Sequence, residues 1–248
     1  MKLLENKVCL ITGTNKGIGH AIVEAFAEQG AIVYAHARTP HCIDDWAKAL
    51  SAKYQTKVVP VYFDITDLDA SRKSVMDIKT IEKQIDVLIN NAGMVTYEMI
   101  PMVQMSTFKS MIDVNIVGAF NLLQIVSRIM GRQQSGSIIN MSSVVADKGA
   151  AGQVSYATTK GAIIAMTKSA AKELAPSQIR VNAVAPGMVG TERFVEVFEK
   201  KFKDKLNNIG MGRLAEPHEI ADLCVFLASD MSSYVTGQII GIDGSTEL

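Results

Sequence analysis

Short apolar runs rich in β-branched residues alternate along the chain with longer segments of helical periodicity. The runs are VCLIT, AIVYAH, VVPVYF, DVLIN, SIINM, IRVNAVA and QIIGID. Each is one strand long, and the segments between them run to roughly 12 to 25 residues, enough for a helix and its turns. Strand–helix alternation predicts parallel strands joined by right-handed crossovers, with helices on both sheet faces. Strands covered on both faces read as continuous apolar runs rather than as alternation, and these do. The expected architecture is α/β: a doubly wound parallel sheet of about seven strands. No linker, low-complexity tract or repeat divides the chain, so residues 1–248 are expected to form a single domain.

One segment breaks the rhythm. After IRVNAVA comes PGMVGTERFVEVFEKKFKDKLNNIGMGRLAEP. Phe194, Phe198 and Phe202 recur every fourth residue in it, so they share a helix face. That face either packs on the body or covers a substrate as a lid over residues 188–212. The charges of this segment (Glu199, Lys200, Lys201, Lys203, Asp204, Lys205) read as a solvated face.

Charge narrows the function classes. The 25 basic and 25 acidic residues cancel, which argues against bulk attraction to nucleic acid or an anionic membrane. Cysteines stand at 9, 42 and 224 and histidines at 20, 36, 41 and 218, with no metal-ligand spacing. Scattered cysteines suggest a reducing compartment. The start MKLLENKVCLITG turns polar before any signal-length apolar stretch, and no apolar run approaches membrane length. A cytoplasmic protein with no metal is expected.

The first candidate chemistry is VCLITGTNKGIGHAIVEAF, a strand, then Gly13, Gly17 and Gly19, then a helix. Glycines allow a tight turn and close approach of backbone to ligand, and the helix start aims N–H groups at a phosphate. The spacing is G-x-x-x-G-x-G rather than the common G-x-G-x-x-G. An acidic residue ending the second strand would bind a free ribose 2′-hydroxyl. Here Ala37 and Arg38 stand there, and Lys16 lies in the glycine turn. A guanidinium and an ammonium suit a 2′-phosphate, so NADP(H) is expected over NAD. The second candidate is VSYATTKGA, where Tyr156 and Lys160 fall on one helix face.

Together, TGTNKGIG, NNAG (90–93), Asn115 in DVNIVGAF, Ser143 in INMSSVVA, YATTK and Pro186–Gly187 resemble the short-chain dehydrogenase/reductase family, with its Rossmann-like fold. The likeness covers essentially the whole chain. Within the family it is nearest the β-ketoacyl-acyl-carrier-protein reductase branch, whose substrates are 3-oxoacyl thioesters in fatty-acid synthesis. The resemblance implies a catalytic set of Asn115, Ser143, Tyr156 and Lys160. Tyr156 is then the general acid that protonates a carbonyl oxygen as hydride arrives. Lys160 and the oxidised nicotinamide are expected to pull its pKa toward neutrality. Lys160 also holds the nicotinamide ribose, and Ser143 orients the substrate oxygen. Asn115 is either a core amide or part of a water-linked relay to Lys160.

The same resemblance assigns cofactor contacts to Gly13, Asn15, Lys16, Gly17, Ile18, Gly19 and Arg38 around the turn. It places Asp64 and Ile65 at the adenine, Asn91, Ala92 and Gly93 at the ribose and pyrophosphate, and Pro186, Gly187, Val189 and Thr191 at the nicotinamide. Thr191 equally suits a helix cap. Family members that bind acyl carrier protein use two basic docking positions; Arg128 fills one, and Ser177 stands at the other. A homotetramer is implied. The rival readings are a reductase or dehydrogenase of another ketone, alcohol or sugar intermediate, and a cofactor-binding protein without turnover.

Overall fold

The computed structural model describes residues 2–192, 194–195 and 203–247. Seven strands form one sheet in the order β3-β2-β1-β4-β5-β6-β7. They are β1 (Val8–Ile11), β2 (Ile32–Ala37), β3 (Val58–Tyr62), β4 (Val87–Asn90), β5 (Gly136–Met141), β6 (Ile179–Pro186) and β7 (Ile239–Ile242), and every pairing is parallel. Each of the seven apolar runs became a strand, within a residue or two at its ends.

Helices cover both faces. On one side lie α1 (Gly17–Glu28) and α2 (Asp44–Tyr54), with α8 (Pro217–Ala228) beside them. On the other lie α3 (Leu68–Glu82), α4 (Met105–Ile112) continued through a π-helical segment (Asp113–Gly118) into α5 (Ala119–Gln133), and α7 (Val154–Leu174). A short α6 (Val145–Lys148) follows β5. Successive strand residues point to opposite faces. In β1, Cys9 and Ile11 join the core under α1, α2 and α8, whereas Val8 and Leu10 join the core under α3, α5 and α7. Cys9 and Cys224 are buried, and Cys42 is exposed.

The helix Met105–Gln133 runs unbroken through α4, the π-helical segment and α5. It has the length and composition of a membrane-crossing helix, although half of its most apolar window is buried inside the protein. Leu122, Val126 and Met130 spend that apolar face on the sheet.

A polar ladder crosses the core beneath the carboxyl edge. Asn90 Nδ2 donates to Asn140 Oδ1 at 2.9 Å, and Asn140 Nδ2 donates to Thr167 Oγ1 at 2.9 Å. Asn90 and Asn140 are register partners in β4 and β5, so the ladder ties both strands to α7. Asn140→Ala removes the Thr167 partner and leaves Asn90 Nδ2 only its 3.3 Å bond to the Ala119 carbonyl; two lost buried hydrogen bonds cost about 1–3 kcal/mol together. Urea unfolding should show that loss, and a change under about 0.5 kcal/mol, the size of an ordinary surface substitution, would contradict the ladder's role.

Candidate active site

The sheet order changes direction where β1 lies between β2 and β4, and ligands in open α/β sheets bind outside the strand carboxyl ends at such a point. Here the β1–α1 turn is packed so closely that side chains are excluded. Gly13 takes φ +69°, and a Cβ on it would stand 2.7 Å from Ala92 Cα. A Cβ on Gly19 would stand 2.2 Å from the Gly13 carbonyl oxygen. Thr12 Oγ1 accepts from the Asn91 and Ala92 amides at 3.0 Å each, and Asn91 Nδ2 donates back to the Thr12 and Gly13 carbonyls at 2.9 and 3.0 Å. The glycine turn and the NNAG segment are thus one laced unit.

Above this unit opens a cleft of about 750 Å³. Gly13, Asn15, Lys16, Gly17, Ile18, Gly19, Arg38, Ile65, Asn91, Ala92, Gly93 and Thr191 all line it. The first turn of α1 has no acidic residue and no capping side chain, so its amides face the cleft unopposed by charge. The cradle fits a dinucleotide: bare backbone at the turn, a helix start for phosphate, and Lys16 and Arg38 at the rim. Asp64 is not in the lining. Its carboxylate accepts from the Thr66 amide at 2.9 Å and the Thr66 hydroxyl at 2.8 Å. Those bonds first, and the Arg38 charge after them, hold its pKa below the usual carboxylate value. His36, Thr39, Cys42, Thr96 and Val114 also line the cleft. They lie in runs that carry no ligand spacing, so the sequence did not mark them.

A second cavity of about 340 Å³ shares Ile18, Asn91, Gly93 and Thr191 with the cleft, so the two are continuous. Ser143, Tyr156, Lys160, Pro186, Gly187 and Val189 line it together. The neighbouring Ser142 turns inward and donates to the Lys160 carbonyl at 3.0 Å, which leaves Ser143 for the cavity. Ser143 and Tyr156 both face this cavity, near enough that Ser143 lowers the Tyr156 pKa. Lys160 Nζ donates to the Met141 carbonyl at 2.7 Å and lies 5.7 Å from the Tyr156 ring centre.

In the protein alone, without the nicotinamide charge that the expected lowering also needs, the phenol lies far from neutrality. Burial, helped by the Tyr97 phenol, pushes the Tyr156 pKa up to about 12, against the lowering effect of Ser143. Burial also brings Lys160 down to about 8. In the protein alone, desolvation outweighs any help the lysine gives the phenolate.

Asn115 lies in the π-helical segment and is buried. Its Oδ1 accepts from the Met94 amide at 2.8 Å, while Nδ2 donates to the Met94 carbonyl and to Thr159 Oγ1, both at 2.9 Å. The core-amide reading is realised: Asn115 fastens the strand-β4 exit to α7. Thr191 Oγ1 accepts from the Phe194 amide at 3.3 Å, so Thr191 caps the following turn and lines both cavities. Phe194 lines the second cavity. Phe198, Phe202, Glu199, Lys200 and Lys201 lie outside the described residues.

A family model described as enoyl-(acyl carrier protein) reductase matches residues 13–245. A 3-oxoacyl-[acyl-carrier-protein] reductase of Thermotoga maritima is 44% identical, over 97% of this chain and 98% of the relative. The chain belongs to the short-chain dehydrogenase/reductase family. A 3α-hydroxysteroid dehydrogenase of Mediterraneibacter gnavus is 36% identical over 98% of both chains. Among solved structures, a 3-oxoacyl-[acyl-carrier protein] reductase from Brucella melitensis superposes with a TM-score of 0.93 at 31% identity, over 100% of this chain and 94% of that one.

As a short-chain dehydrogenase/reductase the protein is a nicotinamide-dependent oxidoreductase acting on CH–OH/C=O groups. Relatives of this family with different named substrates share the scaffold, so substrate choice must come from the cavity wall. Of the two positions relevant to carrier docking, Arg128 is exposed on α5, and Ser177 is half-buried in the turn before β6. Gly19→Ala places a methyl against the Gly13 carbonyl and must displace the turn. NADPH affinity, read by fluorescence titration, should fall at least about tenfold, a 1.4 kcal/mol loss; unchanged affinity would show that the turn does not hold the cofactor.

Proposed function

We propose that the protein is an NADPH-dependent reductase that converts a 3-oxoacyl thioester into its 3-hydroxyacyl form, as in fatty-acid synthesis. The observation that carries this reading is Ser143, Tyr156 and Lys160 lining one largely apolar cavity that opens onto the glycine cleft. When bound, the nicotinamide supplies the hydride. Tyr156 donates the proton to the substrate oxygen, and its raised pKa keeps that proton in place at neutral pH, which suits reduction. Ser143 orients the same oxygen. Lys160, at about 8, is mostly cationic at neutral pH and holds the ribose.

Asn115 keeps a relay role beside its anchoring one. The side chain that Gly93 lacks would stand 3.3 Å from Asn115 Oδ1 and 3.6 Å from Lys160 Nζ. Both polar atoms therefore border one small gap, and Oδ1 retains a lone pair for a water there. Pro186, Gly187, Val189 and Thr191 form the nicotinamide side, and Phe194 begins a lid over it.

The apolar wall of Met94, Val95, Val144, Ala150, Ala151 and Met188 suits an acyl chain. The names of the Thermotoga and Brucella relatives support the thioester substrate, and Arg128 supports docking of acyl carrier protein. The 36% identical steroid dehydrogenase and Ser177 favour a second reading, reduction of another ketone, on the same catalytic residues. Lys16 and Arg38 at the rim, with no carboxylate ending β2, support NADP(H) over NAD. We place the reaction in the cytoplasm, on a homotetramer.

The test is NADPH oxidation with a 3-oxoacyl thioester, free and carrier-bound, beside simple ketones and keto-sugars. The carrier-bound thioester should be the better substrate; turnover confined to the other ketones would replace the substrate and keep the mechanism. Arg38→Asp in the same assay should raise the KM for NADPH about tenfold or more, the scale of a lost charge-assisted bond, and lower that for NADH. A wild-type KM lower for NADH than for NADPH would overturn the cofactor choice.

A further inference from the structure

His36 belongs to the apolar strand β2, yet its ring is buried and forms part of the cleft floor beneath the glycine turn. Both ring nitrogens are engaged. Nδ1 lies 3.3 Å from the Gly13 amide nitrogen, and Nε2 lies 2.8 Å from the Phe63 carbonyl oxygen. A backbone amide only donates and a carbonyl only accepts, so Nδ1 must be the acceptor and Nε2 must carry the hydrogen. The ring also packs on Phe63, with centres 4.2 Å apart. The backbone of His36 is tied to the same turn: its carbonyl accepts from the Thr14 amide at 2.9 Å and the Thr14 hydroxyl at 3.0 Å.

We infer that His36 is a positioning residue for the dinucleotide: its neutral ring, locked with hydrogen on Nε2, holds the Gly13 amide and so fixes the phosphate-facing turn. This rests on the cleft being the cofactor site. The glycines permit the turn's shape but do not select one conformation, because glycine has many. The Gly13 amide needs an acceptor, and the imidazole supplies it from below, leaving the upper face of the turn bare.

A second proton on the ring would break this arrangement. It would put an N–H on Nδ1 facing the Gly13 N–H, two donors opposed. It would also place a buried positive charge in the cleft that Lys16 and Arg38 line. Asp64, just after β3, offers it an opposing charge, and the Glu192 carboxylate lines the same cleft. Burial lowers the His36 pKa below its ordinary value, with Asp64 and the Phe63 bond opposing, so the ring stays neutral at pH 7. The acceptor should be lost only on acidification below the usual imidazole range, and cofactor affinity should fall with it.

The test measures NADH and NADPH binding by fluorescence from pH 5 to 8 for the wild type, His36→Phe and His36→Gln. NADH is the decisive probe because it lacks a 2′-phosphate that would titrate in the same range. His36→Phe should weaken NADH binding about fivefold or more at pH 7.5, the size of one net hydrogen bond. It should also flatten the acid-side loss seen in the wild type. His36→Gln, which retains an acceptor, should recover part of the affinity but not the pH dependence. In parallel, ¹⁵N NMR of the wild type at pH 7.5 should show Nδ1 bare and Nε2 protonated on His36.

Wild type that binds a dinucleotide, with a His36→Phe variant matching it in affinity and pH profile, overturns this inference alone. So does a ring protonated on Nδ1 at pH 7.5. Wild type that binds neither dinucleotide at pH 7.5 overturns the cofactor reading of the cleft, and this inference with it.

Discussion

The site depends on one close approach. Gly13 and Gly19 stand backbone against backbone, and the same turn lies against Ala92 with no room for a side chain on Gly13. The Thr12–Asn91 hydrogen bonds then lace β1 to the exit of β4. That contact opens the cleft at the point where the sheet order reverses, and it fixes Gly93. Where Gly93 lacks a side chain, Asn115 and Lys160 face one another across a gap. From there α7 carries Tyr156 toward Ser143, two residues beyond β5. A shift of the turn would propagate along this chain of neighbours.

Two effects compete at Tyr156. A cation on the same helix face favours the phenolate, and burial favours the phenol. Burial wins in the protein by itself, because Lys160 spends a short hydrogen bond on the Met141 carbonyl and lies beside the ring rather than at the hydroxyl. The phenol therefore waits protonated, as an acid must. Oxidation of an alcohol needs the opposite protonation state. An oxidised nicotinamide would bring the positive charge which that direction needs.

Much of this was legible in the residues. The seven strands were visible because a strand buried on both faces has no polar alternation, and the glycine turn because its strand and helix flanks give the glycines a context. Tyr156 and Lys160 were legible as a pair on one helix face, Ser143 joined them through the family resemblance, and the fold brings all three to one cavity. His36 was not, since a histidine inside AIVYAH reads as one more strand residue until the partners of its two nitrogens are known. The exact work of Asn115 was hidden too: its contacts to Met94 and Thr159 join segments distant in sequence, and a π-helical turn has no periodicity of its own to read. The local turn that Asp64 makes with Thr66 was hidden as well, since the resemblance assigned Asp64 a place at the adenine and said nothing of its partners within the chain.

The central claim is that Tyr156 holds its proton until the nicotinamide and substrate are in place. The direct measurement is an ultraviolet difference titration of the protein without cofactor, wild type minus Tyr156→Phe, from pH 6 to 10. A pKa raised to about 12 means that no phenolate from Tyr156 forms in that range. The account predicts a flat difference. A phenolate signal rising near pH 7 would contradict it, and would mean that Lys160 alone overcomes burial.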